Sequence, residues 1–343
     1  MDAAEFDPGS PARPGAGIFG LPHRRTEARI VLLPVPFDAT TSYRPGTAGG
    51  PRAIFDASMQ VDLFDHQLGR VYERGIYMEA PSEQVSRWNE EASALARPII
   101  HTGGTDPGDP RQAQALTRVD AIGRALNDFV YEHTSAVLAE GNVPGIIGGE
   151  HSVPFGAIRA VAERYPGLGI LHLDAHMDFR PAYEGFTYSH ASIFCNVMRD
   201  IAGVGRLVQI GIRDMSEEEI ELGRNQGARV STHFDDVWAE RLLRGEAFEP
   251  LARAALDKLP ETVYVSFDID VLEPALCPHT GTPVPGGLTF PQAALILDTL
   301  RRSGRRVVGF DLVEVAPGNP GEPELDANVG ARVLYKLCGT ATV

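Results

Sequence analysis

Within the stretch LHLDAHMDF, residues 171–179, Asp174, His176 and Asp178 alternate with apolar residues. Alternate side chains of an extended chain share one face, so two carboxylates and an imidazole would crowd together there. Burying such carboxylates without a partner cation is costly; either the segment is exposed or positive charge sits among the side chains. Three other apolar runs end the same way. VPGIIGG leads into Glu150 and His151, TVYVSFDID closes on Asp268 and Asp270, and RRVVGFDLVEV carries Asp311 and reaches Glu314. A lone Asp after a strand is usually a turn former or a helix cap, and Ser152 is expected to cap the helix that follows it. Acids and histidines at several successive strand ends point instead to one shared cation site. His151, His176, Asp174, Asp178, Asp268 and Asp270 carry too much negative charge for a single divalent ion. They suit two ions about 3.5–4 Å apart, a pair able to lower the pKa of a shared water from ~15.7 toward ~7. Carboxylate-rich, thiolate-free ligation favours Mn²⁺ over structural zinc, and the imidazoles leave Ni²⁺ and Fe²⁺ open.

Elements able to position these residues are readable along the chain. Residues 1–27, rich in Pro, Gly and charge, read as a flexible arm. A buried first strand is expected in 28–38, followed by the Gly/Pro-rich loop TTSYRPGTAGG and a helix whose first turn holds Pro51. The region 80–116 contains HTGGTDPGDPRQ, read as a long polar loop of the kind that serves as a lid or binding loop. A long helix runs from Thr117 to Gly141. Beyond it, continuous apolar strands alternate with helices near 155–165, 190–200, 215–226, 249–258, 290–303 and 326–338. That alternation predicts a three-layer α/β/α arrangement around a mostly parallel sheet, in one domain spanning 28–343. Ligand sites of such sheets lie beyond the carboxyl ends of the strands, where the acids and histidines fall.

The 343-residue chain carries 31 basic and 46 acidic residues, a formal charge of −15, which disfavours nucleic-acid and anionic-membrane partners. Its 3 cysteines are too few and too scattered for a disulfide framework or a thiolate zinc site. The first residues lack an apolar signal-peptide core, and no apolar run is long enough for a membrane span. A cytoplasmic location is expected.

GGEHS (148–152), DAHMD (174–178) and SFDIDVLEP (266–274) resemble, in order and spacing, the signatures of the ureohydrolases, the family of arginase and agmatinase. HTGTPVPGG (279–287) and GFDLVEVAP (309–317) extend the resemblance to roughly residues 28–340. It implies the arginase-type fold, two Mn²⁺ ions and a homotrimer or homohexamer. By motif, His151, Asp174, Asp178 and Asp268 would hold one ion and His176, Asp174, Asp268 and Asp270 the other, with Asp174 and Asp268 bridging. Asp270 would also help stabilise the tetrahedral intermediate. Glu314 would bind the substrate guanidinium, His190 would shuttle a proton, and Thr282 would contact the same centre. Glu150, Val271 and Glu273 depart from the commoner Asp, Gly and Asp of these motifs, so altered geometry is expected just outside the ligand set. His279 and Cys277 are read as structural.

The implied reaction is hydrolysis of a small cationic guanidino compound to urea and an amine, with agmatine-type action leading. GFTYSHASI and DANVGARVLYKL are also similar to a branch that includes Ni-dependent hydrolases of free guanidine, which is the main alternative. A guanidino-acid hydrolase or an arginase is a further one, disfavoured for arginase because no loop for an α-carboxylate and α-amino group is identifiable. A non-catalytic oligomer subunit would be marked by lost ligands, and none is lost. A one-zinc deacetylase of the same fold would need fewer carboxylates.

Overall fold

The computed structural model describes residues 6–106, 108–319, 321 and 324–342. Eight parallel strands form one sheet in the order β2-β1-β3-β8-β7-β4-β5-β6. They are β1 (Ile30–Val35), β2 (Ile76–Met78), β3 (Val143–Gly148), β4 (Leu168–Leu173), β5 (Val204–Ile212), β6 (Val230–Phe234), β7 (Thr262–Asp268) and β8 (Arg306–Val313). Parallel pairing needs crossovers and buries both faces, which is why the inner strands are apolar along their whole length. Pro34 sits inside β1 without loss. Leu32 O accepts from Glu79 N on the β2 side, and Pro34 faces that same side beyond the point where β2 ends.

Helices cover both faces, as expected. α1 (Gly50–Ser58), α10 (Asp326–Thr340), α9 (Phe290–Arg302) and α8 (Phe248–Leu256) follow one another across one face. α2 (Glu83–His101), α3 (Pro110–Ala139), α4 (Phe155–Arg164) and α5 (Ile193–Asp200) cover the other. α6 (Glu217–Asn225) and α7 (Asp235–Leu243) close the β6 end. Residues of β1 alternate between the layers: Ile30 and Leu32 enter the core beneath α1 and α10, while Leu33 and Val35 enter the one beneath α2 and α3. No helix among the described residues is long and apolar enough to cross a membrane.

Two expectations are corrected. Residues 18–21, assigned to a flexible arm, are packed: Ile18, Phe19 and Leu21 are buried, and the Phe19 ring meets Tyr335 of α10 edge-on at 4.9 Å. The apolar Ile-Phe-Gly-Leu run within the polar segment is what anchors it. The loop in 80–116 is short, because α2 runs to His101 and α3 begins at Pro110. Asp109 accepts from Arg111 N at 2.8 Å and caps α3, with Pro110 in its first turn.

Candidate metal centre

Each segment leaving a carboxyl end of the central strands delivers part of the site. After β3 the chain passes so close to β1's extension that a Cβ on Gly149 would stand 1.8 Å from Phe37 O. Glycine is therefore required there, and it brings His151 in under the sheet edge. His151 Nδ1 lies 2.9, 3.1 and 3.2 Å from carboxylate oxygens of Asp174, Asp178 and Asp268. After β4, Asp174 and Asp178 face His151, while His176 Nδ1 is 3.0 Å from Asp270 Oδ2 and 3.5 Å from Asp174 Oδ1. After β7, Asp268 Oδ1 accepts Asp270 N at 2.8 Å, and Asp270 Oδ1 accepts Ala175 N at 3.0 Å. Two groups of donor atoms result, one around His151, Asp174 and Asp178 and one of Asp174, His176 and Asp270, with Asp174 common to both. Asp268 joins the first group through its contact with His151.

The donor chemistry fits metal ions. His151 Nδ1 and Asp270 Oδ2 are buried and make no well-directed hydrogen bond, although ionisable atoms crowd each of them, a state that a cation between them would relieve. The tautomer of His151 is set from behind. Ser266 Oγ donates to Asp311 Oδ1 at 3.0 Å and so accepts from His151 Nε2 at 2.9 Å; in the neutral ring that would hold an ion, Nδ1 then carries the lone pair toward the carboxylates. Burial raises Asp311 only to about 6, so it remains an acceptor at neutral pH. Within the cluster, burial and the neighbouring Asp174 push Asp178 up to about 7, and burial and Asp270 push Asp268 well above the carboxylate range. Although burial opposes its charged form, the surrounding carboxylates pull His151 well upward. The arrangement calls for positive charge at its centre.

Glu314, after β8, accepts His151 N at 2.9 Å through Oε1, while its Oε2 is buried without a partner. Burial, then repulsion from Glu150, pushes its carboxyl well up. Asp178 and Glu314 both sit at positive φ, 56° and 61°, a backbone region that costs non-glycine residues energy and clusters at functional sites. A cavity of about 280 Å³ is lined by His151, His176, Asp178, Asp268, His190, Thr282 and Glu314. Ser42 and the 71 % exposed Tyr43 stand on its wall. The described residues of HTGGTDPGDPRQ, expected as a lid or binding loop, do not line it. His190 Nε2 lies 3.1 Å from Ser42 Oγ, and its Nδ1 is 3.8 Å from Glu314 Oε1.

Glu150 does not reach either group. It accepts from Thr40 N and Thr40 Oγ1, both at 2.7 Å, and Thr40 Oγ1 in turn accepts His190 N at 3.1 Å. The longer acid thus ties the loop bearing Ser42 and Tyr43 to His190. Ser152, expected to cap α4, donates to Glu150 at 2.5 Å instead. His279 binds Asp326 at 2.9 Å and Cys277 Sγ contacts Ile269 O, so both are structural as read. Sequence reasoning missed His172 and gave Ser266 and Asp311 no role. Their signal was a polar side chain inside a strand otherwise apolar throughout.

The match to known proteins follows the same segments. A model of the Arginase family covers residues 28–339. The chain is 33 % identical over 315 residues to the N(1)-aminopropylagmatine ureohydrolase of Thermus thermophilus, covering 91 % of this chain and 90 % of that protein. It is 32 % identical over 292 residues to the agmatinase of Bacillus anthracis, covering 85 % and 84 %. The structure of proclavaminate amidino hydrolase from Streptomyces clavuligerus superposes with a TM-score of 0.70 at 27 % identity, over 96 % of this chain and 98 % of that one. The chain belongs to the Arginase family.

Proposed function

We propose that this ureohydrolase uses two divalent ions to hydrolyse a cationic guanidino compound of the agmatine type to urea and an amine. The observation that carries the reading is the unpartnered, buried Glu314 Oε2 on the wall of the same cavity as the two donor groups. A guanidinium is the cation whose planar N–H pairs suit such a carboxylate. His151, Asp174, Asp178 and Asp268 would hold one ion, and His176, Asp174, Asp268 and Asp270 the other. When bound, such ions supply Lewis acidity and an acidified water. The residues do the rest. Glu314 orients the guanidinium and offsets its charge, and Thr282 lines the same cavity. Burial and the nearby His176 and His151 hold His190 down to about 3, so it is neutral at pH 7. Lying between Ser42 and Glu314, it is placed to relay a proton toward the departing nitrogen rather than to store one.

The oxygen-rich donor set favours Mn²⁺, with Ni²⁺ the alternative. A homotrimer or homohexamer in the cytoplasm completes the proposal, and light scattering tests the assembly. The deciding experiment is a urea-release screen of agmatine, 4-guanidinobutyrate, 3-guanidinopropionate, arginine and guanidine after Mn²⁺ or Ni²⁺ loading. Urea from agmatine supports the reading. Urea from guanidine alone, with Ni²⁺, replaces it, and urea from none under either metal overturns catalysis.

A further inference from the structure

His172 lies within β4, fully buried, and its Nε2 is 2.7 Å from Asp174 Oδ2. Distance alone groups it with His151, Asp174 and Asp178 as a metal ligand. We propose that it is instead a positioning residue: a neutral imidazole whose Nε2–H pins the carboxylate shared by both donor groups, with Gln209 deciding which nitrogen carries the proton. The inference rests on those groups being metal sites.

The assignment follows from acceptors and donors across three adjacent strands. Gln209 Nε2, on β5, is 2.9 Å from Met177 O and 3.0 Å from His172 Nδ1. Met177 O can only accept, so the amide must present its nitrogen there, and Oε1 takes the hydroxyl of Thr232 on β6 at 2.9 Å. The second amide hydrogen then goes to His172 Nδ1, making Nδ1 an acceptor. A neutral imidazole with an accepting Nδ1 carries its proton on Nε2, and that proton points at Asp174 Oδ2. A nitrogen engaged in this way has no lone pair for a metal. Phe194 packs against the ring at a centroid distance of 4.0 Å and limits its rotation.

The other carboxylate oxygen is held as firmly, because Asp174 Oδ1 accepts His176 N at 2.6 Å. Each oxygen thus has one fixed donor and turns its remaining lone pair to one group, Oδ2 toward His151 and Oδ1 toward His176. The His172–Gln209–Thr232 chain therefore holds the plane of Asp174 at the orientation in which one residue can serve both ions. Removing it loosens both sites together, whereas loss of His151 would weaken only the first.

Two measurements test this on the full-length protein. The first is ¹⁵N NMR of histidine-labelled protein, metal-free and loaded with diamagnetic Zn²⁺, with His172 assigned by its absence in His172→Phe or, should that variant not fold, in His172→Gln. The expected pattern is a protonated Nε2 and an unprotonated Nδ1 in both states. A protonated Nδ1, or an Nε2 resonance that takes on metal coordination, overturns the proposal. This readout stands even if no substrate is ever found and even if the wild type binds no metal, which would sink the metal reading separately.

The second is Mn²⁺ titration of the apoprotein by calorimetry. His172→Phe should weaken both sites about 10- to 100-fold, and His172→Gln, whose amide N–H can reach Asp174, should recover part of the loss. Gln209→Glu sets a carboxylate against Nδ1, and should move the proton there and weaken both sites. Wild-type affinity in both His172→Phe and Gln209→Glu, or loss confined to one site, would refute the positioning role.

Discussion

Glu314→Gln isolates the charge of the guanidinium anchor from its shape. The variant keeps an oxygen able to accept His151 N at the 2.9 Å seen for Oε1, so the backbone beside the first donor group is undisturbed. What changes is Oε2, an acceptor with no partner in the protein, which becomes an amide NH₂ facing the substrate. A hydrogen bond to a charged group contributes about 1.5–3 kcal/mol, so kcat/KM should fall roughly 10- to 150-fold, at 1.4 kcal/mol per decade. Because burial and the neighbouring Glu150 already push the Glu314 carboxyl up, neutralising it relieves repulsion, and the melting temperature should not drop. The assay is the initial rate of urea release over a range of substrate concentrations, with metal per chain measured on the same preparation. Wild-type kcat/KM would refute the anchor. Activity lost in proportion to metal would instead show that Glu314 acts through the His151 backbone.

Ser266→Ala removes the acceptor of His151 Nε2 and leaves Asp311 Oδ1 with Phe267 N alone; first-site metal affinity should fall about 10- to 100-fold with the second retained, as read by metal per chain after graded dialysis. Gly149→Ala places a Cβ 1.8 Å from Phe37 O, a clash with backbone that cannot relax, and should abolish soluble expression or metal binding. His233 is held down to about 4, by burial and then by Lys258. A depressed folded-state value means that its contribution to stability is full above the unfolded value near 6.5 and is lost as pH falls toward 4. His233→Phe, which keeps a ring against Trp238, should show a smaller loss between pH 7 and 5 in denaturant titrations than the wild type.

The ligand-bearing strands were legible because each joins a continuous apolar run to a short polar terminus, and those signals add along the chain. β2 was not, since three residues carry no periodicity and its place is set by pairing with Ile30–Leu32. α7 was missed because the acids Asp235 and Asp236, which favour its first turn, look like loop composition. Residues 18–21 were hidden by their polar surroundings, although three apolar side chains there are buried. In the site, the residues with a short-range motif were readable. The supports behind them were not: Asp311 meets His151 only through Ser266, and Gln209 meets Asp174 only through His172. Such links depend on which strands become neighbours, and sheet order is not written in any local segment.

That order also bears on how the protein is made. β8, the last strand to leave the ribosome among those described, lies between β3 and β7. Before it inserts, the nascent chain can build β2-β1-β3 on one side and β7-β4-β5-β6 on the other, but no strand joins them. His151 belongs to the first half and every aspartate of the donor groups to the second. Asp174, His176 and Asp270 can gather as soon as β4 and β7 pair, whereas the group around His151 closes only once β8 has emerged and docked. The expected order of metal capture is therefore the second site before the first, and the unjoined strand edges invite misassembly until β8 docks. A chain stopped before Arg306 should take up no ion at the first site, and the completed enzyme should depend on β8 docking more than on any ligand for its rate of activation.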